Sequence, residues 1–310
     1  MSRNTIAIKL SNNLRSYLKL NSLEITRVKE NSTEKFKDKS IFICPLCFGI
    51  FDPNLKGVLS QEHIIPNSVA EKSLITITCV QCNNESGGAF DHVLKTYLSA
   101  SISRFDNVRV DIIGSKLKSL KMPLTLDFKK KELTFENKST NAFVKDEVNR
   151  MFQTGGTLNF KVIGPSKQKL NLARIKVVHL MLFNNFGYDY LFTEVSRVFI
   201  EQIQNPEKVI IKLSEVNLPI KNPKKIFIAR VSDEFNLIVI NIKLSGTQQS
   251  IAVPGPTAQQ IKSYNDFSIQ KNTKYQYWLM PIDDLSYEDD TMSFSKLFKD
   301  ADSFSPPKGL

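Results

Sequence analysis

Two Cys-x-x-Cys pairs, Cys44/Cys47 and Cys79/Cys82, constrain this chain more than any other feature. They hold all 4 cysteines of the chain. A two-residue gap closes a tight knuckle from which two sulfurs point at one ion, and two knuckles complete a tetrahedral shell. Paired knuckles in a reduced setting argue for metal rather than disulfides. Four thiolates leave no open position on the ion, so a zinc held by Cys44, Cys47, Cys79 and Cys82 is expected to be structural. The stretch between Cys47 and Cys79 is longer than a minimal zinc ribbon needs, so something is inserted there. A zinc-stapled binding module without catalysis is the rival reading at this point.

The insertion carries chemistry. It contains Ser60-Gln61-Glu62-His63-Ile64-Ile65-Pro66-Asn67, and Asn83 follows the second knuckle directly. Histidine titrates near neutrality and suits a general base. On an extended segment Glu62 and His63 point to opposite sides. Glu62 could then hold a divalent cation while His63 faces water, with Asn83 as a neutral oxygen ligand. A shell this sparse suits Mg²⁺ or Mn²⁺.

Glu-His-Ile-Ile-Pro followed by Cys-x-x-Cys-Asn, framed by paired cysteines, resembles the HNH (ββα-metal) endonuclease family. The match extends through Gly87, Asp91 and Leu94 and covers about 60 residues. The resemblance implies a ββα-metal core and a DNA-cleaving phosphodiester hydrolase. It implies His63 as base, Glu62 and Asn83 on a catalytic Mg²⁺ or Mn²⁺, and products with 5′-phosphate and 3′-hydroxyl ends. Relatives of this kind are suspected in restriction or phage defence. Two departures stand out. Leu74 occupies a position where many members carry an Asn that orients the base, and Ser68-Val69-Ala70 replaces Leu-Gly-Gly. Asn67, Asn84 or a backbone carbonyl must then orient His63. Asp91 and His92 are further candidates for the metal shell, although a structural role for Asp91 and a surface role for His92 are the plainer readings.

The rest of the chain reads as mixed α+β. We divide it into an N-terminal extension (1–40), the nuclease core (41–104) and an α+β C-terminal domain (105–310) with an acidic, Pro-containing tail. In the extension a strand is expected at Thr5–Lys9 and a helix capped by Ser11 or Asn12. Downstream, strands are expected in VRVDIIG, PLTLDF, KELTFE, TLNFKVIG, KVIIKLSE, KKIFIARV, LIVINIKL and YQYWLMPI. Helices are expected at Leu170–Phe183 and Thr193–Gln204, with His179 a core residue of the first.

The net charge of +11 points to a polyanionic partner, with DNA the commonest choice. Lys116, Lys118, Lys121 and Lys129, Lys130 and Lys131 form a basic cluster suited to phosphate, or to a solvated hairpin. Tyr275, Tyr277 and Trp278 offer either core packing or base stacking. The sequence lacks a long apolar run and a signal-peptide pattern, so a cytoplasmic protein with no membrane partner is expected. A second copy of the chain stays open as a partner.

Overall fold

A computed structural model describes residues 3–20, 41–67, 74–101, 104–112, 120–127, 132–135, 142–154, 158–162, 166–216, 226–232, 235–244, 247–269, 278–281 and 294. The architecture is mixed α+β, with four separate antiparallel sheets.

Residues Arg3–Leu20 form helix α1 where a strand was expected at Thr5–Lys9. Ile6, Ala7, Leu10 and Leu14 are buried, a helical spacing, while Ile8 is 52% exposed. The local alternation of Ile6 and Ile8 imitates a strand, but the longer period decides. Ser11 caps nothing. It lies inside the helix, and its buried Oγ accepts the N–H of Ile41 at 3.1 Å.

Strands β1 (Phe42–Ile43) and β2 (Ile50–Phe51) pair across the first knuckle. Strands β3 (Leu59–His63) and β4 (Ile75–Cys79) form a second antiparallel hairpin, with Glu62 opposite Thr76 and Ser60 opposite Thr78. Helix α2 (Val80–Ser86) follows at once and runs through a π-helical turn, Gly87–Asp91, into α3 (His92–Ser101).

Strands β5 (Arg104–Ile112), β6 (Leu120–Asp127), β7 (Glu132–Phe135) and β8 (Leu158–Val162) make a sheet in the order β7-β6-β5-β8. Helix α4 (Ala142–Thr154), which the sequence reading missed, lies between β7 and β8 in the chain. Lys121 sits on β6. Lys116, Lys118 and Lys129–Lys131, with Tyr275 and Tyr277, fall outside the described residues.

Helix α5 (Lys167–Leu191) is the central element. Ser166 caps it by accepting the N–H of Lys169, and nearly every residue from Leu172 to Phe183 is buried. Both faces therefore meet protein: α1, α3 and α6 (Glu194–Gln204) all pack on it. Near its end Gly187 takes φ 57°, and a Cβ there would collide with Asn13. The swerve lets Asn13 Oδ1 accept the N–H of Tyr188 at 3.0 Å, fixing α1 to α5.

Of the expected strand KVIIKLSE only β9 (Ser214–Glu215) forms. Side-chain amides take over the backbone instead. Gln202 Oε1 accepts from Ile210 and Ile211, and Asn171 bonds both Ile211 O and the N–H of Leu213. Strands β10 (Ile226–Ser232), β11 (Phe235–Leu244), β12 (Thr247–Pro254) and β13 (Trp278–Pro281) complete a sheet ordered β13-β10-β11-β12-β9. β11 lies at its centre, with Leu237–Ile242 buried on both faces, as its unbroken apolar run requires. Helix α7 (Ala258–Ile269) closes on this sheet through Tyr264, whose hydroxyl lies 3.0 Å from Ala252 O and accepts the N–H of Ser214. No helix among the described residues is long and apolar enough to cross a membrane.

Candidate metal centre and active site

The first knuckle is built by its backbone. Phe48 N–H donates to Cys44 O at 3.0 Å, Cys44 N–H to Gly49 O at 2.9 Å, and Gly49 N–H to Cys47 Sγ at 3.3 Å. Phe48 takes φ 57° to close the turn. The second knuckle opens helix α2: Cys79 is its N-cap, and its Sγ accepts the N–H of Cys82 at 3.4 Å. The two knuckles join where Cys79 N–H donates to Cys44 Sγ at 3.3 Å. N–H groups aimed at sulfur favour thiolate over thiol.

All four Sγ atoms lie within 4.8 Å of one another, and Cys47 and Cys79 are 3.9 Å apart. Four sulfurs about 2.3 Å from a central ion sit about 3.8 Å from each other in a tetrahedron. Donor type, number and spacing therefore fit zinc. Hydrogen bonds among the four thiols lower Cys47 and Cys79 and raise Cys44 and Cys82. No other group of three or more His, Cys, Asp or Glu residues converges among the described residues.

Beside this centre the hairpin carries the predicted active-site residues. Glu62 and Thr76 share one of its faces with Ser60 and Thr78, and α2 packs on β3 and β4. Asn83 Nδ2 donates to Ser60 Oγ and to Gln61 O, each at 2.9 Å, so the amide nails α2 to β3. Ser86 Oγ lies 3.4 Å from Glu62 Oε2.

Glu62 is 1% exposed, and its Oε1 meets Nζ of Lys176 at 2.7 Å. The same ammonium reaches Oδ1 of Asp91 at 3.0 Å. Burial raises the Glu62 pKa above the ordinary carboxylate value, and Lys176 only partly offsets this. Both Glu62 oxygens thus have protein partners. Asp91, the last residue of the π turn, points at α5. Its partner here is Lys176, and His92 is exposed. Of the residues expected to hold Mg²⁺ or Mn²⁺, Glu62 faces an ammonium as arranged, whereas Asn83 bonds the strand only through Nδ2, which is not the atom that would bind an ion.

His63 occupies the other hairpin face, opposite Ile75. It is partly exposed, and the side-chain amide of Asn67 lies 2.9 Å from its Nε2. Asn67 was one of the residues expected to replace the missing Asn at position 74. Leu74 contributes only its carbonyl, which accepts the N–H of Ile64.

The sequence reading missed Lys176 and the reach of α5. His179 is buried as expected, but it is more than filling. Its Nε2 lies 2.7 Å from Pro45 O inside the first knuckle, and its Nδ1 lies 2.8 Å from Tyr190 OH. A carbonyl can only accept, so Nε2 carries the proton and Nδ1 accepts from the tyrosine. Tyr188 OH lies within 3.1 Å of Ile43 O and accepts the N–H of Ile43. A lysine and a histidine in the otherwise apolar stretch from Ile175 to Phe183, at positions 176 and 179, were the available signal.

No family model, curated protein or solved structure matches the chain.

Proposed function

We propose that the chain is an HNH-type endonuclease that hydrolyses DNA phosphodiester bonds, with His63 as general base and a structural zinc on Cys44, Cys47, Cys79 and Cys82. The observation that carries this reading is the pairing of His63 with Asn67 on a hairpin held by the four-cysteine centre. As placed, Asn67 Nδ2 donates to Nε2 and Nδ1 carries the proton of the neutral ring; with the amide turned over, its carbonyl would accept Nε2–H and leave Nδ1 as the base. His63 takes the proton of a water whose oxygen attacks phosphorus. The P–O3′ bond breaks, the 3′ oxygen leaves as an alkoxide that takes a proton from solvent to become the hydroxyl, and the phosphate stays on the 5′ side.

The carboxylate expected to hold Mg²⁺ or Mn²⁺, Glu62, is committed to Lys176. The excess of basic residues suits DNA as partner. A place in restriction or phage defence follows from the family resemblance alone.

The Glu62–Lys176 pair favours a second reading: a zinc-stapled nucleic-acid-binding module whose catalytic centre has decayed. Supercoiled plasmid digested by wild type and by His63→Ala separates the two. A nuclease loses nicking in the variant, whereas a binder shifts DNA equally well in both and nicks it in neither.

A further inference from the structure

Among the described residues Lys176 is the only buried lysine. A buried ammonium is tolerated only beside anionic partners, and here two carboxylates from separate elements converge on it: Glu62 from β3 and Asp91 from the π turn. The side chain is 1% exposed. Its helix is fixed one turn later by His179 on Pro45 O and further on by Tyr188 on Ile43. The ammonium is buried together with Glu62, while its other partner, Asp91, is partly exposed. A divalent ion approaching Glu62 would meet a fixed positive charge about 3 Å away with nothing between to screen it.

We propose that Lys176 is the resident cation of this centre: its ammonium stands between Glu62 and Asp91 where the metal of an HNH site would stand, and Glu62 binds no divalent metal. Lys176 then acts as a positioning residue that holds the β3 carboxylate and the π turn in register beneath the His63 strand. The inference rests on reading Glu62 as the carboxylate of the proposed nuclease site, but it concerns cation binding and not hydrolysis.

A second observation describes what the ammonium displaces. The Thr76 hydroxyl, directly opposite Glu62, is fully buried and has no hydrogen-bond partner. With the lysine shortened, Glu62, Asp91 and Ser86 would present oxygen donors to one space, the ligand type a hard divalent cation takes, with Thr76 on the same hairpin face.

The test is Mn²⁺ binding by the zinc-loaded full chain without nucleic acid, read from the electron paramagnetic resonance signal of free Mn²⁺. Wild type is expected to hold no Mn²⁺ that depends on Glu62. Lys176→Ala is expected to gain one site per chain, at least about tenfold tighter than any wild-type binding, and Lys176→Ala with Glu62→Gln to lose it. Mn²⁺ binding by wild type that Glu62→Gln removes would overturn the proposal, as would a folded Lys176→Ala that gains nothing. If Lys176→Ala does not fold, wild type against Glu62→Gln decides alone. A chain that proves to have no nuclease activity leaves every one of these outcomes readable.

Discussion

The side-chain amide of Asn67 lies 2.9 Å from Nε2 of His63, four residues away and just past the end of strand β3. This contact supplies the orienting partner that Leu74 cannot. If Asn67 holds the imidazole for proton abstraction, Asn67→Ala should lower kcat on DNA by on the order of tenfold to a hundredfold and leave KM nearly unchanged. Asn67→Asp, which offers only acceptor oxygens, should retain more activity than the alanine variant if the amide carbonyl faces Nε2, and no more than it if Nδ2 does. Steady-state cleavage kinetics of the three proteins checks both statements; a rise in KM alone would mean that Asn67 contacts substrate instead.

Zinc should be part of the fold. Structural zinc in small domains contributes on the order of 10 kcal/mol of folding free energy. Cys79→Ser removes one zinc ligand, while a serine at this N-cap can still accept the N–H of Cys82. The variant is expected to lose zinc and to melt at a lower temperature than wild type. Elemental analysis should find one zinc per wild-type chain; a folded, metal-free wild type would refute the assignment.

The Glu62–Lys176 pair predicts a non-additive stability cycle. Removing one member of a buried ion pair strands the other, at a cost of about 3–5 kcal/mol. Lys176→Met should fall in that range, because it strands Glu62 and weakens Asp91. Glu62→Gln should cost less, since Asp91 still holds the ammonium. The double variant should be more stable than the sum of the singles, with urea denaturation as the measurement. By the same reasoning a fragment ending at residue 104 lacks Lys176, His179 and Tyr188 and is expected not to fold.

His179 should make stability fall in mild acid. Burial depresses its pKa from 6.5 to about 4. Between those values the unfolded chain binds a proton that the folded chain refuses. Its contribution is therefore intact above pH 6.5 and is lost as pH falls toward 4, by about 3 kcal/mol in all. Acid also protonates the cysteines, so the quantity to read is the difference between wild type and His179→Gln. The variant should show the shallower decline across this window. Parallel pH profiles would contradict the assignment.

The four-cysteine cluster was legible in the sequence because ligand spacing is local: each knuckle is a turn of a few residues, and metal-ligand chemistry does the rest. Helices α5 and α6 were legible from their apolar pattern, although α5 runs past Phe183 to Leu191. The strand at Thr5–Lys9 failed because five residues cannot distinguish period 2 from period 3.6 when the next turn is ignored. The strand over 208–213 failed because Gln202 and Asn171, on other elements, satisfy its backbone. The contact of Lys176 with Glu62 could not be read. Its partners lie 114 positions apart in the chain, and local pattern carries no information about which buried charge meets which. The sequence did hold the weaker clue that a lysine amid ARIKVVHLMLF must find an anion.

Hydrolysis of DNA by the zinc-loaded chain is the most direct measurement. Supercoiled plasmid incubated with wild type should be nicked, giving 5′-phosphate and 3′-hydroxyl ends, and His63→Ala should reduce the rate by about a hundredfold or more while still folding and holding its zinc. Equal cleavage by wild type and His63→Ala, or none by either, would contradict the assignment of this site as a nuclease.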